Sequence, residues 1–149
     1  MNYSDYKQAE NFIFSDIQRE IDIAKSGKHA GNFLCALGLM CYTEFAGGLI
    51  RNTFKIGESK KNFNYFFRYM GKKYKELLKN DSGIYKFLRC GLAHEYYVKK
   101  NCIIYMPGLR SETGIRLDKC GVYHLYIGKY FEDFKMAFER FEKDIYKSV

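Results

Sequence analysis

An arginine and a histidine near residue 90 form the densest group of side chains in the sequence that could do chemistry. Arg89 and His94 are five residues apart, and His94 is one of three histidines in the chain. Histidine gives or takes a proton near neutral pH, and the arginine fork binds phosphate oxygens in two places without losing its charge. RNA carries its own nucleophile, the 2′-hydroxyl, so these two residue types are sufficient for its cleavage, and no metal or other cofactor is expected.

The spacing of the two residues predicts that one chain alone does not form a compact site. Each residue of an α-helix turns the chain by about 100°. A spacing of five residues therefore separates Arg89 from His94 by about 140° around the helix axis. Two copies of this helix that meet across a two-fold axis would bring each arginine to the partner's histidine. The sequence therefore predicts a homodimer with a composite site in the groove between the chains.

Both residues also have structural interpretations. His94 would then cap a carbonyl at a helix end or stack on Tyr97, and Arg89 would form a salt bridge to Glu95 or Glu44. Glu44 lies alone on an apolar helix, where a buried carboxylate is costly unless it is paired. It either orients Arg89 or His94 for chemistry or serves as a structural partner.

The pattern Arg89-x4-His94 resembles the hallmark of HEPN domains, helical bundles of about this size in which a histidine follows an arginine by four to six residues. The resemblance extends to the helix order and to a long apolar second helix. Many HEPN proteins are metal-independent, dimeric endoribonucleases of toxin-antitoxin, abortive-infection and CRISPR-linked defence, and others are inactive or bind nucleotides. The resemblance implies catalytic roles for Arg89 and His94 in a ribonuclease or toxin-like effector.

Two neighbouring residues bear on this resemblance. Many of the ribonucleases have a polar residue, commonly asparagine, after the arginine, whereas this chain has Cys90. That difference favours the alternative, a non-catalytic module that binds RNA, a nucleotide or a partner protein. Tyr96 completes the Arg-x4-His-x-Tyr pattern of toxins that are paired with a nucleotidyltransferase, which makes Tyr96 a candidate modification site and an antitoxin or nucleotidyltransferase a candidate partner.

The positive charge of the chain is confined to one stretch. The 149 residues include 25 basic and 17 acidic side chains. Residues 55–100 contain twelve of the basic side chains and only four of the acidic ones. A local excess of this kind is typical of a surface that binds a polyanion such as RNA, although a solvated lysine-rich surface is the alternative. The predicted RNA-binding residues are Lys60, Lys61, Arg68, Lys72, Lys73, Lys75 and Lys79.

Length and composition predict a single folded domain over residues 1–149. The cysteines and the N-terminal sequence predict that it lies in the cytoplasm. The five cysteines include no CxxC pair, which favours reduced thiols over disulfides or a metal site. No run of 18 apolar residues and no signal peptide is evident, so neither a membrane span nor export is expected.

The apolar periodicity predicts a mainly α fold, an antiparallel helical bundle with a small antiparallel β-hairpin or meander at about 99–127, before the last helix. Helices are expected over 4–25, 29–54, 61–79, from 84 onward and over 129–147. The strands are expected at 102–106, 114–117 and 122–127. Gly47 and Gly48 in the second helix predict either a kink or the close approach of a neighbouring helix.

Overall fold

The computed structural model confirms a mainly α fold with a small sheet before the last helix. It describes residues 1–29, 31–80, 83–95, 102–106 and 110–146. The elements, in chain order, are α1 (Tyr3–Lys25), α2 (Asn32–Arg51), α3 (Ser59–Tyr69), α4 (Lys72–Asn80), a π-helix (Tyr85–Cys90), α5 (Gly91–Glu95), β1 (Cys102–Tyr105), β2 (Ile115–Leu117), β3 (Tyr123–Tyr126) and α6 (Ile127–Tyr146).

The first and last helices pack together through aromatic side chains. Tyr6 of α1 stacks on Phe138 of α6 with ring centroids 4.9 Å apart, and its hydroxyl donates a hydrogen bond to the Phe138 carbonyl. The heptad spacing of α6 predicts this buried stripe, and Phe131, Phe134, Phe138 and Phe141 are all buried. The same spacing also predicts Ile145 on this stripe, but the structure leaves its side chain about half exposed.

The second helix is the apolar centre of the bundle and contacts α1, α3 and α6. By length and composition it could also span a membrane, since its most apolar window has a mean hydropathy of 1.6. In this fold, however, Thr43 shares a hydrogen bond with Tyr130 of α6, and Glu44 pairs with Arg89. These contacts pack the helix against its neighbours inside the bundle.

Close approach of a neighbouring helix explains the glycine at position 47. A Cβ atom on Gly47 would overlap the backbone carbonyl of Asn62 in α3. The polar side chains beside this contact reinforce it, because Arg51 donates to Asn62 and pairs with Glu58, each at 2.6 Å. The Asn62 amide in turn donates to the carbonyl of Thr53 at 2.9 Å. The expectation of helix packing is therefore correct for Gly47.

The prediction of one continuous helix over 61–79 is wrong. Gly71 has φ of 149°, a value that side-chain-bearing residues rarely adopt, and it separates α3 from α4. The break lets two short helices bury separate apolar faces, one with Phe63, Phe66 and Phe67 and the other with Tyr74 and Leu78.

The three strands form one sheet in the order β1-β3-β2. The hairpin between β2 and β3 is antiparallel, as predicted, and the Asp118 carboxylate accepts hydrogen bonds from the backbone of Cys120 and Val122 in its turn. The first strand differs from the prediction because it pairs in parallel with β3, with Cys102 opposite Tyr123 and Tyr105 opposite Tyr126. The alternation of side chains is the same in either direction, so the sequence pattern did not distinguish them.

The packing at Gly47 yields a stability prediction. Gly47→Ala forces α3 away from α2, and overpacking of this kind costs about 1 to 3 kcal/mol of unfolding free energy. Gly38→Ala is the matched control in the same helix, because its Cβ would lie 3.5 Å from Ile17 and Tyr42, an ordinary contact. We expect chemical denaturation to show a large loss for Gly47→Ala and no loss for Gly38→Ala. Equal stability of the two variants would contradict the close-packing account.

Candidate functional site

Arg89 and His94 lie on one helical segment that changes its winding. Residues 85–90 form a π-helix, and the flanking Ile84 and Gly91 have right-handed helical backbone, so the segment is continuous into α5. Ile84, Leu88 and Leu92 are all buried although they recur at intervals of four. In an α-helix each interval would turn the next side chain by about 40° away from the core, and the wider π turn removes part of this drift.

The Arg89 guanidinium forms an ion pair with Glu44 of α2. The distance from Nε to Oε2 is 2.6 Å, and the two side chains are 18% and 17% exposed. Both atoms are shielded from water and are not aligned as a hydrogen bond, so the contact is ionic. Within the described part of the chain, Glu44 is the one carboxylate that pairs with Arg89. Of the two partners predicted for Glu44, Arg89 and His94, the structure shows Arg89.

The surroundings of this pair keep Arg89 charged. Burial disfavours the charged guanidinium and lowers its pKa. The negative charge of Glu44 acts in the opposite direction, and the pKa of Arg89 is raised overall. The guanidinium carbon lies 5.8 Å from the centroid of the Tyr85 ring, and burial, followed by the charge of Glu44, raises the pKa of Tyr85 to about 12. Burial also raises the pKa of the nearby Cys41 thiol. At neutral pH the site therefore contains a fixed cation beside neutral phenol and thiol groups.

His94 lies near the end of α5 and is exposed to solvent. No hydrogen bond or ion pair holds its imidazole among the residues that the structure describes. The Cys90 side chain is half-buried beside Tyr85. Tyr96 and Tyr97 lie outside the described residues, as does the side chain of Glu95, so stacking of His94 on Tyr97 and pairing of Arg89 with Glu95 stay predictions.

The seven predicted RNA-binding residues are all exposed, on α3 and α4. Three of them have carboxylate partners: Lys61 pairs with Glu58, Lys72 with Glu76, and Lys73 with Glu112. The other four, Lys60, Arg68, Lys75 and Lys79, form no ion pair with a described residue. The break at Gly71 distributes the set over two helices, so the unpaired cations do not follow a single helix face.

A second group of polar residues was not predicted as a site. The His124 ring lies between two partners, with Nδ1 3.0 Å from the Tyr105 hydroxyl and Nε2 2.9 Å from Asp118 Oδ2. The hydrogen bond from His124, together with the backbone donors of the turn, holds the pKa of Asp118 below its ordinary value. One signal could have found part of this group, because alternation along β3 places His124 and Tyr126 on the same face.

The cysteines and the possible metal ligands bear on the prediction of reduced thiols. The five cysteines are unpaired. No group of three or more histidine, cysteine or carboxylate side chains in the described part of the chain has the geometry to hold a metal ion.

Comparisons of the chain with protein-family models, with curated proteins and with solved structures find no match. The resemblance to HEPN domains therefore stays a prediction, and the function has to be inferred from the residues and their geometry.

Proposed function

We propose that the chain is a metal-independent endoribonuclease of HEPN type that acts as a homodimer in the cytoplasm. The observation that carries this proposal is that one candidate residue is held in its charged form and the other is exposed to solvent. Arg89 is fixed in its charged form by Glu44, and His94 is exposed on the same helical segment. A held cation and an exposed imidazole are the two groups that cleavage by a 2′-hydroxyl requires.

In the proposed reaction, the RNA 2′-oxygen attacks the adjacent phosphorus while the bond from phosphorus to the 5′-oxygen breaks. His94 accepts the proton of the 2′-hydroxyl and then donates it to the leaving 5′-oxygen, and Arg89 stabilises the negative charge that develops on the phosphate oxygens. The products are a 2′,3′-cyclic phosphate and a 5′-hydroxyl. The role of Glu44 is to position Arg89, since its carboxylate reaches Nε of the guanidinium.

The second candidate function is a non-catalytic module that binds RNA, a nucleotide or a partner protein. The Arg89–Glu44 pair has one consequence that agrees with this alternative: it keeps the guanidinium charged, but the carboxylate at 2.6 Å also competes with a substrate phosphate for it. Cys90 in place of the usual polar neighbour favours it as well. A toxin role, modification at Tyr96 and an antitoxin or nucleotidyltransferase partner belong to the proposal and depend on the HEPN resemblance.

Substitution of His94 separates catalysis from binding. His94→Ala is expected to lower RNA cleavage by about 10²-fold to 10⁴-fold, because it removes the group that transfers protons. The side chain is exposed, so the melting temperature and the RNA affinity should change little. Arg89→Lys is also expected to lose most activity, because an ammonium group lacks the bidentate fork yet keeps the charge next to Glu44. Cleavage is measured on structured and single-stranded RNA in the presence of a chelator.

Glu44→Gln is the control for the ion pair, since it keeps the side-chain shape and removes the charge. We expect a partial loss of activity, smaller than for His94→Ala, because Arg89 remains but is less firmly held. Equal cleavage by the wild type and His94→Ala would reject the ribonuclease and leave the binding module.

Mixing of single variants tests whether the site is shared between subunits. If each catalytic unit combines Arg89 of one chain with His94 of the other, a mixed dimer of Arg89→Lys and His94→Ala retains one intact unit. Half of the dimers in an equal mixture are mixed, so the activity should recover to about a quarter of the wild-type value. Sedimentation at micromolar concentration establishes the dimer. No recovery after demonstrated subunit exchange would place both groups in one chain.

The basic residues on α3 and α4 are tested by the salt dependence of RNA affinity. Each phosphate contact with single-stranded RNA contributes roughly 0.7 to the slope of log affinity against log salt. The double variant Lys75→Gln with Lys79→Gln removes two lysines that have no ion pair with a described residue, and it is expected to reduce the slope by about 1.4 if both contact phosphate. Lys73→Gln is the matched control, because Lys73 lies in the same helix but pairs with Glu112. An unchanged slope in the double variant would reassign these residues to solubility.

A further inference from the structure

A cleft of about 490 Å³ lies at the carboxyl ends of β1 and β3, where α6 begins. Its volume is in the range of about 300 to 1,000 Å³ that is typical of small-molecule sites. Tyr105 and Tyr126 line it from the two strands, and Gly128 lines it from the first turn of α6. A Cβ atom on Gly128 would meet no atom within 4 Å, so the backbone there borders open space. Neither Arg89 nor His94 lines this cleft.

Aromatic rings form one wall of the cleft and are held in place by hydrogen bonds. The rings of Tyr105 and Tyr126 stack at 4.7 Å with 11° between their planes, and the ring of His124 stacks on Tyr105 at 5.9 Å. The chain of hydrogen bonds from Tyr105 through His124 to Asp118 fixes the first ring. Arg116 donates to the Tyr126 hydroxyl at 3.3 Å and restrains the second. The wall is thus a preformed surface for a flat ring.

The polar part of the lining is positively charged. The lining contains four basic residues, Lys25, Arg110, Lys129 and Lys135, and a single acidic residue, Glu132. Lys129 is neutralised, because it pairs with Asp133 at 2.9 Å and with Glu132 at 3.6 Å. Lys25, Arg110 and Lys135 have no carboxylate partner among the described residues. Three uncompensated cations therefore face the same cavity as the tyrosine pair.

We propose that this cleft binds a nucleotide, with its base against the tyrosine pair and its phosphate against Lys25, Arg110 and Lys135. Stacking on aromatic side chains beside a basic surface is how proteins bind unpaired bases, whereas a simple anion would need no aromatic wall. The nucleotide is either free or one unit of a single-stranded RNA, since both present the same base and phosphate. The site is separate from the proposed catalytic residues, so it does not depend on ribonuclease activity.

Charge reversal at the cleft is the first test. A fluorescently labelled 2′-O-methyl oligoribonucleotide lacks the 2′-hydroxyl nucleophile and reports binding by anisotropy whether or not the protein cleaves RNA. Arg110→Glu and Lys135→Glu are each expected to weaken its binding by about tenfold. Lys119→Glu is the matched control, because this exposed lysine lies in the β2–β3 turn at the opposite end of the sheet. That control should change affinity by less than about threefold.

Two substitutions at Tyr105 separate stacking from hydrogen bonding. Tyr105→Phe keeps the ring and removes the hydroxyl that contacts His124, so binding should stay within about twofold of the wild type. Tyr105→Leu removes the ring and should weaken binding by about tenfold. Melting temperatures of all variants establish that they are folded, and the charge variants still decide the outcome if Tyr105→Leu does not fold.

Competition with AMP and ATP distinguishes the two sources of the ligand. Displacement of the oligonucleotide by either mononucleotide at micromolar concentration assigns the cleft to a free nucleotide, and no displacement by either assigns it to an RNA strand. Equal affinity of the wild type, Arg110→Glu and Lys135→Glu would overturn the proposal, as would an equal loss in Lys119→Glu. Cleavage of unmodified RNA is measured separately, so failure here leaves the proposed ribonuclease function standing.

Discussion

The backbone contact between α2 and α3 at Gly47 is the constraint on which the candidate site depends. It brings the two helices closer than any side chain would allow, and the Arg51, Glu58 and Asn62 contacts fix their relative position. Glu44 precedes Gly47 by one turn of α2, so the same contact determines where its carboxylate lies. A partly buried carboxylate needs a cation, and the segment after α4 supplies Arg89. Helix packing and the charge state of the site are therefore parts of one arrangement.

Periodicity predicted the elements that bury a continuous stripe, because a repeated apolar spacing leaves few alternatives for the face of a helix or strand. The ends of α1 and α6 and the places of all three strands are within two residues of the expectation. The break at Gly71 was missed because the apolar spacing continues through it while the backbone turns at one glycine. The direction of β1 was missed because strand pairing is a long-range property that local alternation does not encode.

The candidate site was predictable from residue types but not from its contacts. Arg89 and His94 stand out by chemistry, whereas the pairing of Arg89 with Glu44 could be seen only from the position of α2. The basic cleft could not be found by counting charges along the sequence. Its cations come from positions 25, 110 and 135, in parts of the chain whose total charge is neutral, and they concentrate only because α1, α6 and the sheet meet.

The parallel pairing of β1 has a consequence for the order of folding. The β2–β3 hairpin closes over a short turn, a microsecond event, whereas β1 must find a partner about twenty residues along the chain. Among the residues that the structure describes, β1 is also an edge strand, bonded to β3 alone. We therefore expect its amides to exchange with solvent earlier than those of β3 in the native state. Since Tyr105 belongs to β1, local opening of this edge would separate the two rings of the aromatic wall, and a ligand bound in the cleft would protect β1 from exchange.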